Sequence, residues 1–470
     1  MNIFRVLVST LLLFIPLYPK FPLFDALNTY VNFRLDDVLV GLSILIWLVF
    51  QVKHGFPVFK EKISWLFLLF FASLGLSFLS GVFIHQTNFN NIYLLHTLRK
   101  IEYISLFFIT IQGIRSKQDF KYLYLFTCLA AVLVNIYGIG QKFYNFPVVS
   151  TMNEEFSKGI LLTISAWTRI SSTFAGHYDL AIYASVVLVI IGGVMFLIPK
   201  KWLILTIPTW LTTYYVLTLT ASRVSIFALL GGFSLCLIFL RKYLWLIPLW
   251  VLVILSIRSS DDLSKRLAAT FTMVKLPNIA IFQSRPSTLP TTIPIPTPTI
   301  AIVAITPVNG NNKPVIPATP TPYATPVRAR PTEGYPPVDL DAGVARSGEI
   351  RFNVEWPRAI NAFLKSPLIG NSPGSMGLAT DNEYLRLAGE IGLLGSLIFY
   401  SILAWFVYQT FLSSQKHNRY KYIFFCAMLT MLVNSLFIDA FSASKTAYLF
   451  WIMMAAYYQC LKLWENSKQS

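Results

Sequence analysis

Five charged side chains in this sequence have types and positions suited to chemistry on a diphosphate. They are the arginines Arg169, Arg223 and Arg351 and the carboxylates Asp381 and Glu390. Arginine is permanently charged and donates hydrogen bonds in a planar fork, which suits a diphosphate. A carboxylate beside arginines stays ionised, and it becomes an effective base toward an alcohol only when it is also desolvated. These residue types together predict a site that displaces a diphosphate leaving group.

Most of these residues belong to a polar segment, 351–395, that is rich in glycine and proline and runs into an apolar helix. Its first part, residues 350–364, has apolar residues at helical spacing and predicts an amphipathic helix. The sequence SPLIGNSPGSMG predicts a loop, and Asp381 or Asn382 is a suitable N-cap for the helix that follows. Ionisable residues at membrane depth are costly, so this segment is the expected functional region.

The whole chain has the composition of a membrane protein. Of its 470 residues 55% are hydrophobic and 13% are charged, and its mean hydropathy is +0.60. About a quarter of the residues in soluble domains are charged, and a membrane span needs about 20 mostly apolar residues. We therefore predict an all-α polytopic membrane protein with about twelve transmembrane helices. The apolar intervals are 4–19, 37–52, 64–84, 101–114, 120–140, 179–198, 202–220, 224–240, 243–257, 391–412, 421–439 and 446–462.

The placement of lysine and arginine predicts the orientation in the membrane. With the N-terminus in the cytoplasm, the inner segments carry 16 of these residues and the short outer segments carry 9. Both termini then lie in the cytoplasm, and the long loop 258–390 lies on the extracytoplasmic side. No small-residue cleavage site follows the first apolar interval, so we expect an uncleaved helix there.

The large loop divides the chain into three regions. Residues 1–257 hold spans one to nine, and residues 391–470 hold spans ten to twelve. Within the loop, residues 283–340 contain 14 of the 26 prolines of the chain, mixed with threonine. Such a tract predicts an extended, disordered insert. Residues 341–390 regain a helical pattern and carry most of the polar segment.

Several classes of function are disfavoured. The net charge is +17, but the basic residues are scattered at helix ends, so nucleic acid is not an expected partner. The basic surplus on the outer face suits an anionic membrane lipid or a pyrophosphate. All four cysteines fall within predicted spans, which argues against a disulfide framework. No P-loop, nucleotide-binding glycine motif or metal-ligand spacing occurs, so neither a cofactor nor a metal is expected.

The layout and four motifs resemble the O-antigen ligase and O-antigen polymerase family of bacterial envelope glycosyltransferases. The similarity in layout covers most of the chain, with about twelve spans and one large outer loop between the ninth and the tenth. The motifs are RISSTFAGH from Arg169, ASR at 221–223, RFNVEWPRAINAFLKSPLIG from Arg351 and DNEYLRLAGEIGLLG from Asp381. The last two, in this order beside a span, are the more specific.

The resemblance implies a donor oligosaccharide carried on a polyprenyl diphosphate such as undecaprenyl diphosphate. The glycan passes to a hydroxyl of a glycan, lipid or protein acceptor, with inversion and without nucleotide or metal. This transfer takes place at the outer face of the bacterial cytoplasmic (inner) membrane. The diphosphate-binding arginines of the family map to Arg223 and Arg351, with Arg169 as a third candidate.

One departure from the family pattern concerns the base that activates the acceptor. The family commonly has a histidine before the Asn of an HN-x-Y-L-type motif, and this chain has Asp381 there. The base that activates the acceptor is then Asp381, Glu383 or Glu390, or the acceptor is activated in another way. An inactive relative of the family also fits the departure. Our assignment of the catalytic role is Asp381, together with Glu390.

Two other classes of function stay open at this point. A transporter or flippase of lipid-linked sugars also needs many spans and basic residues, but it predicts charges near the midplane and broken helices in two repeated halves. A membrane anchor that displays an interaction loop explains the Pro/Thr tract but not the segment 351–395. Polymerase and ligase share the donor chemistry and differ only in the acceptor, so the sequence does not separate them.

Overall fold

The computed structural model describes residues 3–29, 31–84, 91–149, 161–163, 169–259, 350–377, 379–412 and 418–465. The predicted Pro/Thr-rich insert 283–340 lies outside the described residues, as do most of the large loop around it and the segment 341–349. The described part of the chain is mostly helical.

Thirteen α-helices form in the described residues. In chain order they are α1 (Ile3–Leu17), α2 (Leu35–Lys53), α3 (Lys62–Leu79), α4 (Asn91–Gly113), α5 (Asp119–Phe143), α6 (His177–Met195), α7 (Leu203–Leu219), α8 (Arg223–Phe239), α9 (Leu246–Ser259), α10 (Trp356–Lys365), α11 (Glu383–Leu412), α12 (Tyr420–Asn434) and α13 (Ser444–Glu465). Short 3₁₀ turns cover Ala26–Asn28, Pro57–Lys60, Lys200–Trp202 and Tyr243–Trp245, and π-helical turns cover Ser80–Ile84 and Arg351–Glu355.

The described chain is not purely helical as predicted, because it contains two small antiparallel hairpins. Strand β1 (Pro22–Asp25) pairs with β2 (Asn32–Arg34) in the connection after α1. Strand β3 (Pro147–Val149) pairs with β4 (Leu161–Thr163) in the connection after α5. Strands of three or four residues in loops leave no alternating pattern long enough to predict.

Each of the twelve apolar intervals coincides with a helix, and α10 falls in the predicted amphipathic segment. Six helical stretches are long and apolar enough to cross a membrane: Leu35–Lys53, Lys62–Phe83, Asp119–Phe143, His177–Met195, Lys200–Leu219 and Glu383–Leu412. Four further apolar helices are shorter, with 10–17 residues: Ile3–Leu17, Arg223–Phe239, Tyr243–Ser259 and Tyr420–Asn434. The described chain therefore has the helices of an α-helical membrane protein.

The predicted boundary of the fourth interval is wrong, because α4 begins at Asn91 and not at 101. The charged residues Arg99, Lys100 and Glu102 lower the hydropathy of its first half. Each of them has a partner that only the fold supplies: Asp37 at 3.7 Å, Glu390 at 3.1 Å and the Tyr448 hydroxyl at 2.7 Å, respectively. The eleventh interval was also too long, since α12 ends at Asn434 rather than at 439.

The interior of the bundle centres on α6, which packs against α7, α8 and α12 and is buried along most of its length. Around it, α13 packs on α4, α1 on α5, and α11 on α3 and α10. By contrast, α9 exposes most of its apolar side chains, among them Ile247, Trp250, Val251 and Ile254. A large apolar exterior of this kind is typical of a surface that faces lipid.

Candidate functional site

Two of the three arginines selected from the sequence lie beside one aromatic ring, that of Tyr178 at the start of α6. The guanidinium carbons of Arg169 and Arg351 are each 5.9 Å from the centre of this ring. Arg223 is close enough for its charge to interact with Tyr178, Arg169 and Arg351. We call these three arginines with Tyr178 and Asp381 the arginine cluster. Arg223 is 54 positions after Arg169, and Arg351 is another 128 positions after Arg223, so the fold brings distant parts of the chain into one site.

The loop that carries Arg169 is fixed by hydrogen bonds from two helices. Gln141 of α5 accepts the Ser172 backbone N–H at 2.7 Å and donates to the Ser172 carbonyl at 2.8 Å. From α13, the buried Lys445 ammonium donates to the Thr173 carbonyl at 2.8 Å. These bonds satisfy backbone groups that a buried loop would otherwise leave unpaired. They also hold Arg169 near the start of α6.

Arg223 is the first residue of α8 and follows the short turn after α7. Two residues later, Ser225 donates a hydrogen bond to the Asn434 amide oxygen at 2.7 Å. The Asn434 amide nitrogen donates to Ser185 at 3.2 Å. Side-chain hydrogen bonds between helices hold α6, α8 and α12 together at this level, and the start of α8 is thereby held beside α6.

Arg351, in the turn before α10, and Asp381, just before α11, form an ion pair. Arg351 Nε donates to Asp381 Oδ2 at 2.8 Å. Asp381 has a backbone φ of +51°, in the left-handed region that aspartate adopts more readily than most residues. Asn382 is the N-cap of α11, because its side-chain oxygen accepts the Leu385 N–H at 3.0 Å. Of the two predicted N-caps, the structure therefore selects Asn382 and leaves Asp381 for Arg351.

Asp439 holds the backbone on both sides of Asp381. Its carboxylate accepts the N–H of Thr380 at 2.7 Å and that of Asn382 at 3.3 Å. The same carboxylate accepts Arg386 Nη1 at 2.7 Å. The unusual conformation of Asp381 is thus fixed by bonds from a residue 58 positions later in the chain.

The surroundings of Asp381 change its acid–base behaviour. Burial raises the pKa of the Asp381 carboxyl above its ordinary value, and the negative charge of Asp439 raises this pKa further. Arg351 lowers the pKa of Asp381, but its effect is smaller than that of burial. Burial lowers the pKa of the Arg351 guanidinium, but Asp381 and Tyr178 beside it raise this pKa above its ordinary value, so Arg351 stays protonated. A carboxylate with a raised pKa is a stronger base than an exposed aspartate.

His177 also belongs to this region. It is the first residue of α6, and its Nε2 lies 2.6 Å from Arg169 Nη1. Its ring packs against that of Tyr178 with 4.1 Å between the ring centres. The structure thus brings the histidine of the RISSTFAGH motif into direct contact with a predicted site residue, Arg169.

Glu390 lies in a different group of charges, which we call the ion-pair network: Lys100, Glu390, Arg386 and Asp439. Glu390 Oε2 is 3.1 Å from Lys100 Nζ, and Oε1 is 3.1 Å from Arg386 Nε. Oε1 also accepts the Gly374 N–H at 3.0 Å. The Glu390 side chain is 1% exposed. Both carboxylate oxygens thus contact cations, and these contacts join α11 to α4. The role of Glu390 in catalysis beside Asp381 stays a prediction.

A break in α11 separates its charged start from its apolar length. Gly392 has φ +64° and ψ −170°, so residues 383–391 form a short helix before the apolar stretch. The loop between α10 and α11 completes the hydrogen bonds at this break, with Leu393 N–H donating to the Pro367 carbonyl at 2.8 Å. A Cβ at Gly392 would lie 2.5 Å from the Leu368 carbonyl oxygen. Only glycine fits this close approach of two backbones.

Tyr178, Asp439 and Lys100 have site-related positions that sequence reasoning did not identify. Two of them could have been found from the sequence: Asp439 ends the eleventh apolar interval, and Lys100 immediately precedes the fourth. An ionisable residue within or beside a membrane span is a general functional signal. No comparable signal exists for Tyr178, because tyrosine is common at helix ends in membrane proteins.

Comparison with known proteins gives no assignment for this arrangement. No protein-family model matches the sequence, and no curated protein is similar enough to match it.

Proposed function

We propose that this chain is a glycosyltransferase that moves a glycan from a polyprenyl diphosphate to an acceptor hydroxyl. The observation that carries the proposal is the convergence of Arg169, Arg223 and Arg351 on Tyr178, with Asp381 paired to Arg351. Three guanidinium groups with one carboxylate leave an excess of positive charge. A diphosphate supplies the missing negative charge and accepts hydrogen bonds in forks.

The proposed reaction is a single displacement at the anomeric carbon of the donor. The acceptor oxygen forms a bond to this carbon while the bond between the carbon and the diphosphate oxygen breaks. The electron pair leaves with the polyprenyl diphosphate, whose developing charge Arg223 and Arg351 stabilise, assisted by Arg169. The acceptor proton passes to the Asp381 carboxylate and then to solvent. The raised pKa of Asp381 supports this role.

The proposed setting is the bacterial cytoplasmic membrane, with the arginine cluster at its outer face. In this arrangement every helix of the described residues except α10 crosses the membrane, which gives twelve spans. Both termini lie in the cytoplasm. The loop 258–390 then lies outside the cytoplasm. Support comes from the distribution of basic residues in the sequence and from the packing of the starts of α6, α8 and α11 at one end of the bundle.

The experiment compares cells that lack the protein with cells that carry the wild type, Arg351→Ala, Asp381→Asn or Arg419→Ala. Glycans are separated as a size ladder, and the polyprenyl-linked pool is extracted in parallel. We expect the first two variants to match the cells without the protein. Arg419 is exposed before α12 at the opposite end of the bundle, so its variant should match the wild type. If Arg351→Ala and Asp381→Asn both leave the ladder intact, the proposal is wrong.

The same experiment separates polymerase from ligase. Loss of long chains, with single repeat units still attached to the acceptor, indicates a polymerase. Long chains that accumulate on the lipid carrier beside a bare acceptor indicate a ligase.

A second candidate function, a transporter or flippase of lipid-linked sugars, is favoured by one observation. The break of α11 at Gly392 is the kind of discontinuity that forms binding sites in transporters. Its backbone groups, however, are bound by the loop between α10 and α11 and not left open for a ligand. Reconstituted vesicles decide between the two, since a flippase moves the lipid between leaflets without cleaving it and a transferase releases the polyprenyl diphosphate.

A further inference from the structure

The contact between Arg169 and His177 determines the protonation state of the histidine. Arg169 Nη1 and His177 Nε2 are 2.6 Å apart, which is a short hydrogen bond. Arginine has only donors and keeps its proton, so Nε2 must be the acceptor. An imidazole with an accepting nitrogen is neutral and carries its proton on Nδ1. The bond in this structure therefore requires uncharged His177.

Arg169 is the member of the arginine cluster with the least regular backbone around it. Arg223 begins α8 and Arg351 begins a π-helical turn, whereas Arg169 lies in a loop eight residues before His177. It also shares the surroundings of Tyr178 with two other positive charges, which repel it. An acceptor on the neighbouring helix holds such a side chain in the site while no anion is bound.

We propose that His177 is a positioning residue for Arg169: the neutral imidazole of α6 holds the Arg169 guanidinium where the donor diphosphate is bound. This inference rests on the proposed function, because it takes a diphosphate as the ligand of the cluster. Positioning before binding reduces the ordering that binding requires and so increases affinity.

The proposal has a consequence for pH. A protonated imidazole cannot accept a hydrogen bond, and it adds a positive charge beside Arg169. The charged and titratable groups around it are Arg169 from the preceding loop, its chain neighbours Tyr178 and Asp179 on α6, Arg223 from α8, Arg351 from the turn before α10, and Asp381 from the segment before α11. Charge alone predicts tighter diphosphate binding at low pH. Loss of the positioned guanidinium predicts weaker binding, and this second effect is the one we expect to be larger.

The test measures binding of undecaprenyl diphosphate to the purified full-length protein in detergent micelles. At pH 7.5, His177→Phe should weaken binding about tenfold, the usual scale for losing one hydrogen bond to a charged group. Arg169→Ala should weaken it by at least as much. The double variant should bind no more weakly than Arg169→Ala, since the histidine acts only through that arginine. His177→Gln retains an acceptor oxygen and should bind nearly as the wild type does.

Between pH 7.5 and 5.5, the wild type should lose more affinity than His177→Gln. The excess grows as the pH falls, because a larger fraction of the imidazole is then protonated and cannot accept the hydrogen bond. Protonation of the ligand is the same for both proteins and cancels in the comparison. The control is His54→Gln, an exposed histidine at the other end of the bundle whose Nδ1 contacts the Phe50 carbonyl. It should leave the wild-type pH dependence unchanged.

Two binding outcomes overturn the inference without affecting the proposed function, and a third such outcome comes from the pH series. In one, the wild type binds and Arg351→Ala weakens binding, but His177→Phe binds normally. In the other, the effects of His177→Phe and Arg169→Ala multiply, which means that the histidine contacts the ligand itself. Absence of wild-type binding, by contrast, overturns the diphosphate site and with it the proposed function. Equal pH dependence of the wild type and His177→Gln also overturns the role of the neutral imidazole.

Discussion

The arginine cluster and the ion-pair network lie side by side at one end of the helix bundle and differ in charge balance. The network has two cations, Lys100 and Arg386, and two anions, Glu390 and Asp439, each in contact with opposite charge. The cluster has three cations and one carboxylate. Exposure differs as well, since the Asp381 side chain is 30% exposed and that of Glu390 is 1% exposed. An unbalanced and accessible group of charges is suited to a ligand, whereas a balanced and buried group is suited to structure.

The largest effect on stability should come from breaking the network. Glu390→Ala leaves Lys100 and Arg386 without their shared carboxylate in a buried place. Removing one partner of a buried pair costs about 3–5 kcal/mol of unfolding free energy. The control, Glu61→Ala, removes a carboxylate that pairs with Lys462; the Glu61 side chain is 23% exposed and that of Lys462 is 43% exposed. A partly exposed pair contributes about 1 kcal/mol or less. Denaturant unfolding in detergent measures both, and equal losses would contradict the structural role of Glu390.

Arg351→Ala should give the opposite combination of effects. Removing one donor to a developing negative charge lowers turnover by about 100- to 1000-fold. Because the cluster has an excess of positive charge, losing one arginine should cost little stability. Turnover and the unfolding midpoint are measured on the same preparation. A loss of stability as large as that of Glu390→Ala would place Arg351 among structural residues.

Gly392→Ala tests whether the helix break positions the polar segment. The backbone at φ +64° costs a non-glycine residue about 1–3 kcal/mol, and the added Cβ meets the Leu368 carbonyl. We expect lower stability and lower turnover together, because the break sets the place of both Glu390 and Asp381. Gly231→Ala is the matched control, since a Cβ there meets nothing within 4 Å. If Gly392→Ala behaved like the control, the break would have no positioning role.

The smallest effect concerns the pH at which Asp381 acts. The charge of Asp439 raises the pKa of Asp381, so Asp439→Asn should lower it. A base must be deprotonated, so transfer is lost as the pH falls through the pKa of Asp381, and in Asp439→Asn this loss should occur at lower pH. The pH of half-maximal rate is the measurement, because a smaller folded fraction reduces the rate equally at all pH values. A shift to higher pH would contradict the assignment of Asp381 as the base.

Hydropathy predicted the position of every long helix, since burial in lipid or in the bundle requires continuous apolar stretches. Hydropathy did not predict the first half of α4, which holds Arg99, Lys100 and Glu102. The charges of these residues are compensated by partners on α2, α11 and α13 that no local pattern reveals. The choice of arginines followed from residue type and motif, but their meeting at Tyr178 depends on contacts between distant segments. The contact between Lys100 and Glu390 was not predicted for the same reason, since Lys100 approaches Glu390 only in the folded chain.

The most direct test of the proposed transfer uses lipid-linked glycan extracted from cells that lack this protein. The wild type and Arg351→Ala are reconstituted into vesicles with this glycan and an acceptor fraction, and released polyprenyl diphosphate is measured. Our account predicts that the wild type releases polyprenyl diphosphate as acceptor-bound glycan forms. Arg351→Ala should release polyprenyl diphosphate at least about 100-fold more slowly. Movement of intact donor between leaflets, with no polyprenyl diphosphate released, would contradict the account and favour a flippase.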